Sequence, residues 1–368
     1  MSAVARVAVL GSGVIALSAA IAFRRALPAA RITLVERPVS PNALLDRIGA
    51  ATLTIDGFHR AIGLDQALFI RRTGAVAIRR VELDGVQLAP PGAIPHVDGV
   101  ALHQLWLRSE RERTGRTMPW PTLAARDAEP FGVRFDMAAY SALLAEMAAA
   151  LDIARASDVP EADLLLDCAA PGDDWTDWSA HLPSLVAQPI SSGAPEGETI
   201  ATGAGAVEWR SPPWGWRLSR GAGLPPGRHP APRAGNRIAL GEATLVAEPF
   251  DGHALSAAHG DILRAIEFMP HAEPSPREAA EYNRRTAIAH GRLLDWATER
   301  WNGLATPDLA NLRTGFAARG RMPYRDWDPV TPGEWIGWWL AQGVRPERID
   351  PTARAVAETK IIRMMEGI

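Results

Sequence analysis

The sequence predicts an α/β fold that opens on a parallel βαβ unit, and three observations carry that prediction. Val7-Ala8-Val9-Leu10 is a short apolar run stopped by Gly11, the pattern of a strand buried on both faces. Gly11, Gly13 and Ala16 follow with G-x-G-x-x-[GA] spacing, ahead of a small-residue helix over Leu17 to Leu27. Arg31 to Glu36 reads as a second strand that closes on an acid, twenty residues after Ala16. Strand, glycine turn, helix, strand and acid form the dinucleotide-binding fingerprint in the context its physics requires. Gly11 permits the tight turn, Gly13 lets backbone approach a pyrophosphate, and Ala16 keeps helix and sheet close. The helix start offers unpaired N–H groups and a positive dipole end to phosphates. Glu36 stands where a carboxylate bonds the adenosine ribose hydroxyls, so the expected cofactor is FAD.

The remaining elements follow in order. Between the first unit and residue 130 the chain carries short strand-like runs and many prolines, as an inserted domain would. Asp136 caps an amphipathic helix that runs to Ala150. Ala162 to Asp167 is a buried strand that returns the chain to the first sheet. Strands such as Ser184 to Gln188 lie in a stretch rich in Pro, Gly and Trp, from Pro171 to Arg233. Asn236 to Ala243 forms a strand that breaks at Gly241 before Glu242. From Ala254 onward helices dominate, including Ala279 to Trp301. The expected division is discontinuous: 1–75, 135–172 and 234–268 for the FAD-binding domain, 76–134 and 173–233 for a mixed-sheet substrate domain, and 269–368 for a helical C-terminal region.

Composition narrows the function. A 368-residue chain with 47% hydrophobic residues has ample core for two to three units. A net charge of −3 argues against nucleic acid as a partner. No apolar stretch is long enough to span a bilayer, and the start of the chain reads as a strand, so a cytoplasmic protein without a membrane partner is expected. Cys168 is the only cysteine, which excludes an internal disulfide and thiolate metal clusters. The histidines lack ligand spacing, so no metal site is expected. Lys360 is the only lysine, while tryptophan supplies 13 residues against 8 Phe and 3 Tyr. Any aromatic cavity is therefore biased toward indole. Trp335, Trp338 and Trp339 fall at helical spacing, as core or as the edge of a homodimer interface.

The order of motifs resembles the tryptophan halogenase family, flavin-dependent halogenases related to aromatic hydroxylases and built on the FAD-binding fold of glutathione reductase. Ile48-Gly49-Ala50-Ala51-Thr52 sits where that family has a V-G-E-A-T loop against the flavin. Asp163 to Cys168 is similar to its D-L-F-I-D-C strand, and Trp214-Gly215-Trp216 to its W-x-W-x-I-P segment. Pro226 to Phe268 resembles a run containing G-R, G-N-x-x-A-L-G and E-P-L-E-S-T, with Glu248-Pro249-Phe250-Asp251 in the last element. Glu281 to Arg284, Trp335, and Gln342 to Pro346 look like its helical C-terminal segments.

The resemblance implies reduced FAD from a separate flavin reductase, oxidation of halide to hypohalous acid, and attack on an aromatic small molecule or peptide. It places Gly11, Gly13, Ala16, Glu36, Gly49, Ala51, Gly241, Glu242, Glu248 and Pro249 around the cofactor. Trp214, Trp216 and Ile78 fall at the substrate cavity. The sequence departs at the chemistry. Ile78 occupies the position of the family lysine, with Arg79 and Arg80 beside it, and arginine is a poor nucleophile. Asp251 replaces the assisting glutamate, and Gly252, His253 and Ala254 replace the Ser-Thr-Gly of the halide site. Asp251 and His253 are the candidate proton carriers. Two readings follow: lysine-free halogenation or hydroxylation of an indole-like ring, or a degenerate homologue that acts as a binding or partner subunit.

Overall fold

The computed structural model describes residues 4–88, 94–112, 118–124, 129–169, 171–172, 174–190, 198–203, 206–211, 214–249, 251–269, 275–301 and 303–366. Strand Arg6–Leu10 lies inside a six-stranded sheet, flanked by Arg31–Val35 and by Leu164–Asp167, both parallel to it. Ala154–Ala156 extends the sheet beyond Arg31–Val35, and Arg237–Ala239 extends it beyond Leu164–Asp167. The edge strand Arg233–Ala234 pairs antiparallel. Helix Val14–Ala26 is buried over most of its length because its small side chains allow close packing, and it contacts helices Met137–Ala150 and His253–Glu267. Asp136 caps the second of these as expected, accepting from Ala139 N at 2.9 Å.

A second six-stranded sheet runs in the order Leu185–Ile190, Gly215–Arg220, Ala206–Arg210, Glu198–Gly203, Val81–Leu83, Val86–Gln87. Its neighbours are antiparallel except where Glu198–Gly203 meets Val81–Leu83. A three-stranded sheet places Gly132–Arg134 between Ala50–Ala51 and Val76–Ile78. This sheet ties the segment after the βαβ unit to the strand that leads into Asp136.

The stretch expected to hold only short strands also forms helix Leu102–Glu112, with Leu102, Leu105 and Trp106 on its buried face. That face packs into one core with the C-terminal helices Pro276–Trp301, Pro307–Arg319 and Pro332–Ala341. The reason is the i, i+3, i+4 spacing of its apolar residues, which the flanking prolines obscure in sequence. Trp335 and Trp339 are fully buried there and Trp338 nearly so, which makes them core of this chain. No helix of the described residues is long and apolar enough to cross a membrane.

Candidate active site

The fingerprint loop adopts the geometry its glycines allow. Gly11 takes a φ of +134°, and a Cβ there would meet that of Ala16 at 3.0 Å. The cradle before helix Val14–Ala26 already holds an anion. Asp46 Oδ1 accepts from Val14 N at 2.5 Å, and a Cβ on Gly13 would overlap both carboxylate oxygens. This carboxylate occupies the place where helix N–H groups and the helix dipole would hold a pyrophosphate. The donor set therefore suits the diphosphate of FAD. Burial pushes the Asp46 carboxyl up, against the hydrogen bond from Val14. Asp46 rides on the single 3-10 turn Leu44–Asp46, the piece that a bound dinucleotide would displace.

The cleft continues past Arg37 and Cys168 to Glu242. Gly241 turns with φ +61°, where a Cβ would meet Ile15 at 2.9 Å. Glu242 then points inward and accepts from Leu45 N at 3.1 Å. Burial, with Asp46 nearby, pushes its carboxyl up to about 7. A second cleft beyond Glu242 reaches Glu248 by way of Asn42, Leu44 and Val246. Glu36 stands apart: its carboxylate turns outward to Arg155 at 3.0 Å and does not line the cleft.

Gly49 and Ala51 are held where the backbone is tightest. A Cβ on Gly49 would overlap the Phe135 carbonyl, and Phe135 N donates to Gly49 O at 3.0 Å. Gly252, at φ +86°, packs against the Ala51 backbone, and Thr52 N donates to Ser256 Oγ at 3.1 Å. The loop at 48–52 and the turn before helix His253–Glu267 thus form one unit. Beside it opens a cavity of about 290 Å³, walled by Ile48, Gly49, Arg134, Trp209, Trp214 and Trp216. Trp209 and Trp216 are cross-strand partners in the second sheet, which explains their shared face.

A smaller cavity of about 50 Å³ lies beyond Arg134. Its apolar wall is Val81, Leu88, Phe131, Ile200, Trp296 and Trp338, and its polar wall is Arg134, Glu198, Asp251, Arg300 and Glu334. Ile78 is buried just behind it, its carbonyl accepting from Phe131 N at 2.6 Å, and it is not among the lining residues. Arg79 and Arg80 are exposed. Phe250 lies outside the described residues.

Asp251 is the hub of this cavity. Its Oδ1 accepts from His253 N at 3.0 Å, and its Oδ2 accepts from Trp296 Nε1 at 2.6 Å. Arg300 Nη1 lies 2.7 Å from the same oxygen and His253 Nδ1 2.8 Å from it. His253 Nε2 faces Glu334 Oε1 at 3.3 Å, so the imidazole bridges two carboxylates. Glu334 is positioned by a capping box with Thr331 at the start of helix Pro332–Ala341. Burial works to raise the Asp251 carboxyl, but the His253 charge and the bonds from His253 and Trp296 outweigh it and hold it low. Burial likewise opposes the His253 charge, yet Asp251 and Glu334 hold the imidazolium well above the usual histidine range. Burial lowers the Arg300 guanidinium to about 9, despite nearby Glu334. Arg300 also pairs with the buried Glu248, which brings the Glu248-Pro249 turn into this network. His259 is separate: it stacks on Phe58 at 3.8 Å, and burial lowers it to about 3.

The sequence singled out Asp251 and His253 but not Asp46, Arg134, Glu198, Trp296, Arg300, Glu334 or Trp338. Two of these carried a signal. Arg134 is a charge between Val133 and Phe135 in a strand, and Thr331-Pro-Gly-Glu334 reads as a capping box. Arg300 had none, being one more basic residue near a helix end.

Three comparisons bear on this arrangement. The fold is shared with a flavin-dependent halogenase from Xanthomonas campestris, with a TM-score of 0.85 at 18% identity, covering 99% of this chain and 94% of that one. BrvH, a flavin-dependent halogenase from Brevundimonas sp. BAL3, matches with a TM-score of 0.81 at 19% identity, covering 99% and 95%. SttH, a tryptophan 6-halogenase from Streptomyces toxytricini, matches with a TM-score of 0.78 at 14% identity, covering 99% and 96%. No protein of curated function matches in sequence. The family profile described as tryptophan halogenase matches residues 6–161 and 217–358, which takes in the fingerprint loop, the 48–52 loop, Asp251, His253 and Glu334. On that match the chain belongs to the tryptophan halogenase family.

Proposed function

We propose that this protein binds FAD, reduced by a separate reductase, and halogenates an indole-like ring without a catalytic lysine. The observation that carries the proposal is the Asp251–His253–Glu334 relay, set against the indole rings of Trp296 and Trp338 in an enclosed cavity. Segments 1–75, 135–172 and 234–268 would form the FAD-binding part, 76–134 and 173–233 the substrate part, and 269–368 the helical C-terminal part. Gly11, Gly13 and Ala16 would hold the diphosphate, Glu36 the ribose, and Glu242 the ribityl chain. Gly49, Ala51, Gly241, Glu248 and Pro249 would shape the isoalloxazine site. A cytoplasmic setting suits the need for a supply of reduced flavin.

When bound and reduced, the flavin supplies with oxygen the oxidising equivalents that convert halide to hypohalous acid. This chain's residues do the rest. Trp214 and Trp216 would keep the aromatic substrate away from the flavin side. Asp251 Oδ2 receives the ring proton as the carbon–halogen bond forms, and His253 shares it between Asp251 and Glu334. The buried Arg300 keeps this cluster of acids charged, because a carboxylate without a partner at this depth would take a proton instead.

A second reading, a partner subunit without turnover, draws on two facts: Ile78 at the lysine position and Asp46 in the anion cradle. An FAD titration followed by flavin absorbance separates the two. Binding, reduction by light, and bromination of indole on adding oxygen and bromide support the enzyme. Failure to bind FAD even in excess removes it. In the same titration Asp46→Asn is expected to bind FAD roughly tenfold more tightly, since it removes an anion competing for the helix N-terminus. Equal affinities would show that Asp46 does not stand in for the phosphate.

A further inference from the structure

One guanidinium belongs to both cavities. Arg134 lines the 290 Å³ pocket that faces Gly49, Trp209, Trp214 and Trp216, and it also lines the 50 Å³ pocket that holds Asp251, Trp296 and Arg300. It is the last residue of strand Gly132–Arg134, opposite Ala50 on one side and Val76 on the other. That register places it diagonally across from Ile78, which pairs with Gly132, on the same face of the sheet. Its charge thus comes from the strand next to the one that carries Ile78.

The guanidinium is fixed. Arg134 Nε and Nη2 donate to the two oxygens of Glu198 at 2.7 and 3.0 Å, and Nη1 donates to the Val133 carbonyl at 3.1 Å. Both side chains are 3% exposed or less, and the Arg134 guanidinium stands 5.1 Å from the Trp209 ring centre. A bidentate pair at this depth does not swing open, because separation would strand two charges away from water. The partition is therefore a rigid polar wall and not a moving gate. The inner cavity has room for a few water-sized species, and an indole ring would fill more than that.

We propose that the Arg134–Glu198 pair is the partition that sorts species between the two pockets: it passes a small neutral oxidant, hypohalous acid, along its polar edge and refuses an aromatic ring. Arg134 is a positioning residue here, since it sets the route and does not react. This rests on the halogenase reading above, and the test is chosen so that the two can fail separately.

The experiment is a self-labelling footprint. Protein with reduced FAD, oxygen and bromide, and no added substrate, turns over; mass spectrometry of its peptides then reads oxidation and bromination at each tryptophan. The readout is the ratio of label at the inner Trp296 and Trp338 to label at the outer Trp209, Trp214 and Trp216. Two double variants replace the pair without leaving a buried charge alone. Arg134→Ala with Glu198→Ala removes the wall, and the inner-to-outer ratio is expected to rise several-fold. Arg134→Met with Glu198→Leu keeps the bulk but removes the polar edge, and the ratio is expected to fall about fivefold, the equivalent of one lost hydrogen bond. FAD affinity should stay at the wild-type value in both. A ratio within about twofold of wild type in either variant, a change smaller than one hydrogen bond, overturns the assignment. Absence of label at every tryptophan in wild-type protein that binds FAD overturns the halogenase reading, and this inference falls with it.

Discussion

Asp251→Asn is expected to lower halogenation by at least about a hundredfold, the scale of losing a positioned proton acceptor. Its effect on the fold should be nearly as informative. Asp251 is the shared counter-charge of Arg300 and His253 and the acceptor for Trp296. An asparagine amide would present N–H groups to some of these donors and leave two buried cations short of a partner. The expected cost is about 3–5 kcal/mol, read from urea unfolding. The pH dependence discriminates the cause. Asp251 titrates below its usual range in the fold, so its contribution is present above the unfolded carboxyl value and lost as pH falls through the folded one. His253 titrates above its usual range, so its contribution is full below about pH 6.5 and lost as pH rises toward the folded value. Wild-type stability should therefore decline on the alkaline side of about pH 6.5, and that slope should be much reduced in Asp251→Asn. An unchanged alkaline slope would mean that His253 is not held cationic by this carboxylate.

Glu242→Gln should do the opposite and stabilise the protein. Burial raises the Glu242 carboxyl to about 7 in the folded chain, against a model value of 4.5. The folded state thus binds a proton that the unfolded state has released over that interval. Its favourable share is complete below about pH 4.5 and is lost as pH climbs through about 7. Above that, the ionised carboxylate costs about 3 kcal/mol, at roughly 1.4 kcal/mol per pKa unit. Glutamine keeps an acceptor for Leu45 N–H and cannot ionise, so the gain should approach about 3 kcal/mol at pH 8 and vanish near pH 4.5. Urea unfolding of the FAD-free protein at the two pH values decides it. An equal gain at both would show a packing effect and not a titration. The same substitution should weaken FAD if Glu242 binds the ribityl hydroxyls, which separates the cost of burying this acid from its use.

Local physics made much of this chain legible in advance. Gly11, Gly13 and Ala16 each answer a steric demand inside a dozen residues, so the βαβ unit can be read without knowing what packs on it. The apolar run at Leu164–Asp167 can be buried on both faces only inside a parallel sheet, and it lies there beside Arg6–Leu10. Asp136 had to cap a helix, because its carboxylate precedes an uninterrupted run of helix formers. The turn at Gly252 and the helix that follows it were likewise readable, with the helix beginning at His253, a residue earlier than expected.

The chemistry of the inner cavity was decided elsewhere. Arg134 and Glu198 are 64 positions apart, and Asp251 and Arg300 belong to different helical segments. Glu334 reaches His253 only because helix Pro332–Ala341 packs on Pro276–Trp301 through Trp296, Trp335 and Trp338. Asp46 looks in sequence like one more acid in an irregular loop, yet it fills the cradle that the glycines make. The sequence by itself determined the dinucleotide unit and the two central carboxylate and imidazole groups, because these follow from backbone geometry and local spacing. Only the tertiary structure decided which charges face one another across a wall, because that depends on how separately folded segments dock and which side chains lose water together.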